Sequence, residues 1–242
     1  MPNQFDAKAL LAQAACAAAA LLLATSAQAT LLGRDLSGNA VANNSASAVF
    51  FYDTDRNITW LRNANAAAGS SFDNGASSTD GRMGWSNAMA WAADLTVGSF
   101  SDWRLSPGVR NCLFNCGELG HLWYDELGNA LNANLQVIGT VNTGDFQNLL
   151  LDRFGYLWTS TETDATHAFA YGFGSGRQDN GIKESSGGDI VEFQALAVRD
   201  GDVLRTVTPP NDVPEPGTLL LTAVALLGLG VARRKGLRPA AY

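Results

Sequence analysis

The spacing of apolar and polar positions changes character several times along this chain, and each change predicts an element. After a polar opening containing Asn43-Asn44-Ser45, Val49, Phe50, Phe51 and Tyr52 form an unbroken run of high strand propensity. Asp53-Thr54-Asp55-Arg56-Asn57 reads as a turn and Ile58-Thr59-Trp60-Leu61 as the returning strand, a β-hairpin. Residues 63–84 are rich in Asn, Ala, Gly and Ser without hydrophobic period, a long surface loop or disordered insertion. Helical period returns with Trp85, Ala88, Met89, Ala92 and Leu95 on one stripe, closed by Gly98. Asp102-Trp103-Arg104-Leu105 alternates as a short strand, its two charges spaced to pair. From Gly117, Leu119, Leu122, Trp123 and Leu127 share another helical face, with Glu118, Asp125 and Glu126 outside it or at its edge and His121 off the stripe as an exposed side chain. Thr143 is placed to cap a helix over residues 145–154, where Phe146, Leu149, Leu150 and Phe154 fall at helical spacing. The remainder reads as strands, 156–161, 168–173 and 190–199, with a turn at Gly174-Ser175-Gly176. Hairpin, helices and then strands, with the first and last strands free to pair, predict a single loop-rich α+β domain.

Both ends carry long apolar runs that stand outside this domain. Lys8 precedes an apolar stretch over residues 9–24, broken only by Gln13 and followed by the small residues Ala27-Gln28-Ala29. This is the plan of a secretory signal peptide, residues 1–29, cleaved after Ala29. At the other end, residues 205–212 contain Pro209-Pro210, a stiff linker. Val213-Pro214-Glu215-Pro216-Gly217 then leads into the apolar residues 218–232 and a basic stop, Arg233-Arg234-Lys235. A helix over 218–232 spans about 22 Å at 1.5 Å per residue, against a hydrocarbon core of about 30 Å. The basic cluster stays cytoplasmic by the positive-inside rule, which leaves everything upstream outside.

Of the 242 residues, 30–212 hold 11 basic side chains (16 less Lys8 and four in the tail) and 21 acidic ones (23 less Asp6 and Glu215), a net charge of −10. A surface of that sign cannot replace the counterions of nucleic acid, so nucleic acid is excluded as a partner. Of the three cysteines, Cys112 and Cys116 survive signal cleavage, and an exported pair is read as a disulfide. The competing reading adds His121 as a third metal ligand, but the spacing is not that of a zinc site. Asp53, Asp55 and Asn57 match the first half of a calcium loop, yet Ile58 stands where glycine is needed and Ala64 where the bidentate acid belongs, so an Asx-rich turn is expected instead. His121 and His167 occur in unrelated contexts, with no Ser-His-acid arrangement. The residues thus predict no catalytic group, no metal ligand and no cofactor, and a protein that is not an enzyme.

The tail, Val213-Pro214-Glu215-Pro216 with its apolar segment and basic stop, resembles the PEP-CTERM sorting signal of Gram-negative, polysaccharide-producing bacteria, here residues 213–238. That resemblance implies recognition by an exosortase-type membrane protease, removal of the tail, and delivery to the cell envelope, surface or extracellular matrix. Residues 48–204 resemble the collagen-like-adhesin C-terminal (Lcl C-terminal) domain, a family of unknown activity. The resemblance rests on Thr59-Trp60-Leu61, Trp85 with Ala88, Asp102-Trp103-Arg104-Leu105, Glu118-Leu119-Gly120-His121-Leu122, Leu157-Trp158-Thr159-Ser160-Thr161 and Ala197-Val198-Arg199. It implies a C-type-lectin-like fold closed by pairing of its terminal strands. The functional expectation is a matrix or adhesion module associated with exopolysaccharide, in which exposed aromatic residues near Trp158 and Tyr171 would stack on sugar, although aromatics in strands more often belong to the core. Two other readings stay open: a spacer in the envelope, and an oxidase like the sulfatase-modifying enzymes of related folds, which would use Cys112 and Cys116 as reactive thiols.

Overall fold

The computed structural model describes residues 31–152, 155–184 and 191–204. The signal segment with Ala27 and Ala29, the linker, and the tail with Val213, Pro214, Glu215, Pro216 and the apolar residues 218–232 lie outside the described residues. Among the described residues no helix is long and apolar enough to cross a membrane.

Two five-stranded sheets carry the domain. The first runs β1 (Leu31–Asp35), β2 (Ala48–Asp53), β3 (Ile58–Leu61), β10 (Ala197–Asp200) and β5 (Arg104–Leu105), all antiparallel. The second runs β4 (Arg82–Met83), β9 (Phe193–Gln194), β6 (Tyr156–Glu162), β7 (His167–Gly172) and β8 (Arg177–Ile182), with β6 and β9 parallel. The predicted hairpin is β2–β3, with Phe51 opposite Trp60, and the first hairpin and the last strand meet as β3 and β10, Val198 opposite Trp60. Strands β2 and β6 are covered on both faces. Phe50 packs into one hydrophobic cluster and its neighbour Phe51 into the other, and Trp158 and Leu157 divide in the same way. A strand covered on both sides has no polar face, which is why residues 49–52 read as a continuous apolar run.

Helix α1 (Trp85–Asp94) packs on β5 and β6 through Ala88, Trp91 and Ala92. It ends four residues ahead of Gly98, which takes φ +63° in the following turn. Trp85 at its start donates its indole N–H to the Thr159 carbonyl at 2.7 Å, tying the helix to β6. Helix α2 (Gly117–His121) continues directly into a π-helical turn, Leu122–Glu126. Leu119, Leu122, Trp123 and Leu127 are buried, as their stripe predicts.

Several expectations are corrected. Leu31–Asp35, read as polar lead-in, is an edge strand; Arg34 is buried within it because Asp202 binds its guanidinium at 2.7 Å. The 63–84 loop is ordered: Ala64 and Ala67 are buried, and the Asp73 carboxylate accepts from the N–H groups of Gly69 and Gly81 before β4 begins. No helix forms over the described residues 145–152, while Phe154 lies outside them. There the chain is held as an extended segment by Gln147, whose N–H bonds the Arg62 carbonyl and whose carbonyl accepts from Ala64, both at 2.9 Å, and Asn148 turns at φ +60°. The predicted strand 190–199 is interrupted at the buried Ala195 and Leu196 and serves both sheets, as β9 and then β10; Ile190 lies outside the described residues. Strand β8, with the sequence RQDNGI, has no apolar pattern; its buried Gln178 is satisfied by the Val109 and Cys112 backbone carbonyls. The charge pairing also differs. Arg104 binds Glu118 at 2.7 Å and Asp200 at 2.5 Å, and Asp102, at φ +66°, binds Arg199 instead. The hydrogen bonds that Arg104 donates to Glu118 and Asp200 raise its pKa, so this clamp between β5, α2 and β10 stays charged.

Candidate functional site

The most unusual local chemistry lies where β2 meets the π-helical turn. Asp53 ends β2 fully buried. Its Oδ1 accepts from the Asp55 and Arg56 amides at 3.1 and 2.9 Å, so the Asp-x-Asp-x-Asn stretch is an Asx-stabilised turn, with Asn57 at φ +52°. The other oxygen, Oδ2, points inward without a hydrogen-bond partner.

The disulfide Cys112–Cys116 closes the loop ahead of α2, in agreement with the disulfide expectation; the Cα atoms stand 5.8 Å apart. Gly120 lets α2 pack on this loop, since a Cβ there would sit 2.3 Å from the Asn115 carbonyl carbon. His121 is buried, contrary to its expected exposure, and so is the Glu126 side chain, at 1 % exposure. The π turn that follows His121 brings the two side chains to one side. Its Leu127 N–H bonds the Leu122 carbonyl at 3.0 Å, and this wider i→i+5 closure sets residues five apart nearer to one side, where an α-helix would splay them.

The His121 Nε2 lies 3.4 Å from Glu126 Oε1 and 3.6 Å from Asp53 Oδ2. The ligand-capable atoms of Asp53, His121 and Glu126 are all within 4.8 Å of one another. The Nε2, the Asp53 Oδ2 and both Glu126 oxygens have no hydrogen-bond partner. The opposite ring nitrogen is fixed, with Nδ1 at 2.9 Å from Asp125 Oδ2, itself contacted by Asn115 Nδ2 at 3.4 Å. Burial first, and then the Asp53 carboxylate, push the Glu126 carboxyl up to about 7, with His121 opposing. Two carboxylates and an imidazole converging in a buried cluster require a shared proton or a cation between them. Sequence reasoning passed over this trio because an α-helical wheel sets His121 and Glu126 apart. The one local hint is a histidine followed by acids at i+4 and i+5.

The other sequence-predicted features are dispersed. Trp158 and Tyr171, expected near sugar-stacking surface, are buried at 0 % and 1 % exposure. Trp158 donates to the Met83 carbonyl at 2.8 Å. His167 opens β7, half-buried and bonded to Asp164 and Thr166 of the preceding turn, and is remote in sequence and element from His121. The outer face of β7 instead presents the half-buried Phe169, with Asn180 opposite it on β8. These two, with Arg110, Asn111, Leu113 and Thr163, line an open cleft of about 480 Å³ beside the disulfide loop.

The PEP-CTERM protein-sorting motif family matches residues 212–235. No curated protein and no solved structure matches the chain. The chain thus carries a PEP-CTERM sorting motif, which marks an exported protein sorted to the cell envelope or surface and processed by exosortase, a membrane-embedded enzyme.

Proposed function

We propose that the exported domain is a non-enzymatic binding or adhesion module that works in the extracellular matrix in association with exopolysaccharide. The observation that carries this reading is the sorting motif at residues 212–235, which directs the domain to the surface where such polymers lie. The pairing of β3 with β10 supports a C-type-lectin-like, Lcl C-terminal-like domain, because it closes a loop-rich body by joining its first hairpin to its last strand. For sugar, the cleft at Phe169 is favoured over Trp158 and Tyr171. It offers an aromatic ring, the exposed Asn180 amide and the Arg110 guanidinium at one open surface, the combination that stacks on a pyranose face and bonds its hydroxyls.

The purified protein is expected to be retained by exopolysaccharide in a pull-down or on a glycan array. Phe169→Ala is expected to weaken that retention roughly two- to twelvefold, the loss of one stacking contact of about 0.5–1.5 kcal/mol. Absence of retention by the wild type refutes binding and leaves the spacer reading. The alternative oxidase reading needs reactive thiols at Cys112 and Cys116, whereas the two are bonded to each other. A thiol titration that finds free thiols of low pKa in the exported protein would revive it.

A further inference from the structure

We propose that Asp53, His121 and Glu126 form a buried binding site for a divalent transition-metal ion, zinc or manganese. This site does not depend on the domain binding polysaccharide. Its first support is the set of unpartnered atoms: a fully buried carboxylate oxygen, a ring nitrogen and both oxygens of a second buried carboxylate, aimed at one another. Buried polar atoms are almost always hydrogen-bonded, so such a group without donors needs a ligand that supplies positive charge.

Distance is the second support. Two ligands each about 2.1 Å from a shared tetrahedral ion lie roughly 3.4 Å apart. The His121 Nε2 stands 3.4 Å from Glu126 Oε1 and 3.6 Å from Asp53 Oδ2. The surroundings of the histidine are the third. Asp125 on Nδ1 holds the tautomer whose lone pair is on Nε2, the carboxylate–histidine–metal arrangement in which the outer acid strengthens the ligand. Asp125 is therefore a positioning residue. One nitrogen and two carboxylates suit zinc or manganese, while calcium takes six to eight oxygens, more than these side chains supply. Glu126 also lines a cavity of about 260 Å³ with Asn43, Asn142 and Asp145, a route by which an ion and a completing water ligand reach the site. The pair Cys112 and Cys116 does not compete, being bonded as a disulfide.

The test uses untagged protein recovered from the envelope after export, stripped with chelator and titrated calorimetrically with zinc, manganese and calcium. One equivalent of zinc or manganese per chain is expected, with a thermal midpoint that climbs with metal concentration. Glu126→Gln removes the stoichiometric binding and the metal-dependent rise, while its metal-free midpoint is no lower than that of the wild type, since a buried charge has gone. Asp125→Asn keeps the site but weakens affinity about 10- to 100-fold. The proposal is overturned if the stripped wild type takes up neither zinc nor manganese stoichiometrically, if it takes up calcium alone, or if Glu126→Gln binds like the wild type. It is equally overturned if Glu126→Gln lowers the metal-free midpoint, because an imidazolium bridging two carboxylates would then account for the cluster.

Discussion

Replacing Trp158 with alanine is expected to destabilise the domain by about 3–5 kcal/mol, the range for emptying a buried aromatic position. Its indole is fully buried, lies against Phe193 with ring centroids 4.6 Å apart, and donates to the Met83 carbonyl at 2.8 Å. The ring also abuts Gly181 so closely that a Cβ there would approach it to 2.7 Å, which leaves no neighbour free to collapse into the space. The variant therefore loses apolar burial and a strap between β6 and β4 together, and leaves a buried carbonyl without its donor. Urea unfolding checks this: the midpoint falls while the slope is unchanged. A loss below about 1 kcal/mol would mean that Trp158 is not in the core.

The second large effect is at Arg62, which replaces secondary structure as the link between distant segments. Its guanidinium is buried and donates to the carbonyls of Asp145, Ser45 and Ala48 at 2.9, 2.7 and 3.0 Å, with the Phe51 ring 5.8 Å away. Arg62→Ala is expected to cost about 3 kcal/mol, because charge-assisted hydrogen bonds are lost and their buried acceptors are stranded. Arg62→Lys recovers only part of it, since a single ammonium cannot reproduce the planar fork. Hydrogen exchange locates the damage: protection should fall at Ala64 and Gln147, whose amides bridge the two segments, before it falls in β6 and β7. Uniform loss across the domain would contradict the clamp role.

These two residues show how differently the fold was written into the chain. Trp158 belongs to a strand whose aromatic and β-branched run announces itself, as do the β2–β3 hairpin and the Ala88–Ala92 stripe of α1. Arg62 acts through backbone carbonyls, which leave no mark on the pattern of side chains. The same holds for β1 and β8: Arg34 and Gln178 are buried by virtue of polar partners, Asp202 and the carbonyls of Val109 and Cys112, at sequence separations of 168, 69 and 66. At residues 145–152 the helical spacing of Phe146, Leu149 and Leu150 is genuine, but Gln147 is bonded across to Arg62 and Ala64 and the spacing serves an extended segment. The cluster of Asp53, His121 and Glu126 escaped for two physical reasons. Asp53 is remote in sequence from the other two, and a π turn rather than an α turn sets which of them face inward.

The central claim is that this domain reaches the cell surface on a tail that an exosortase then removes. Mass spectrometry of the protein recovered from envelope material tests it most directly. The account predicts a first residue at Thr30 and a last residue between Pro214 and Gly217, with the apolar residues 218–232 gone. Recovery of the protein with an intact terminus, Arg233 through Tyr242 still attached, would contradict it.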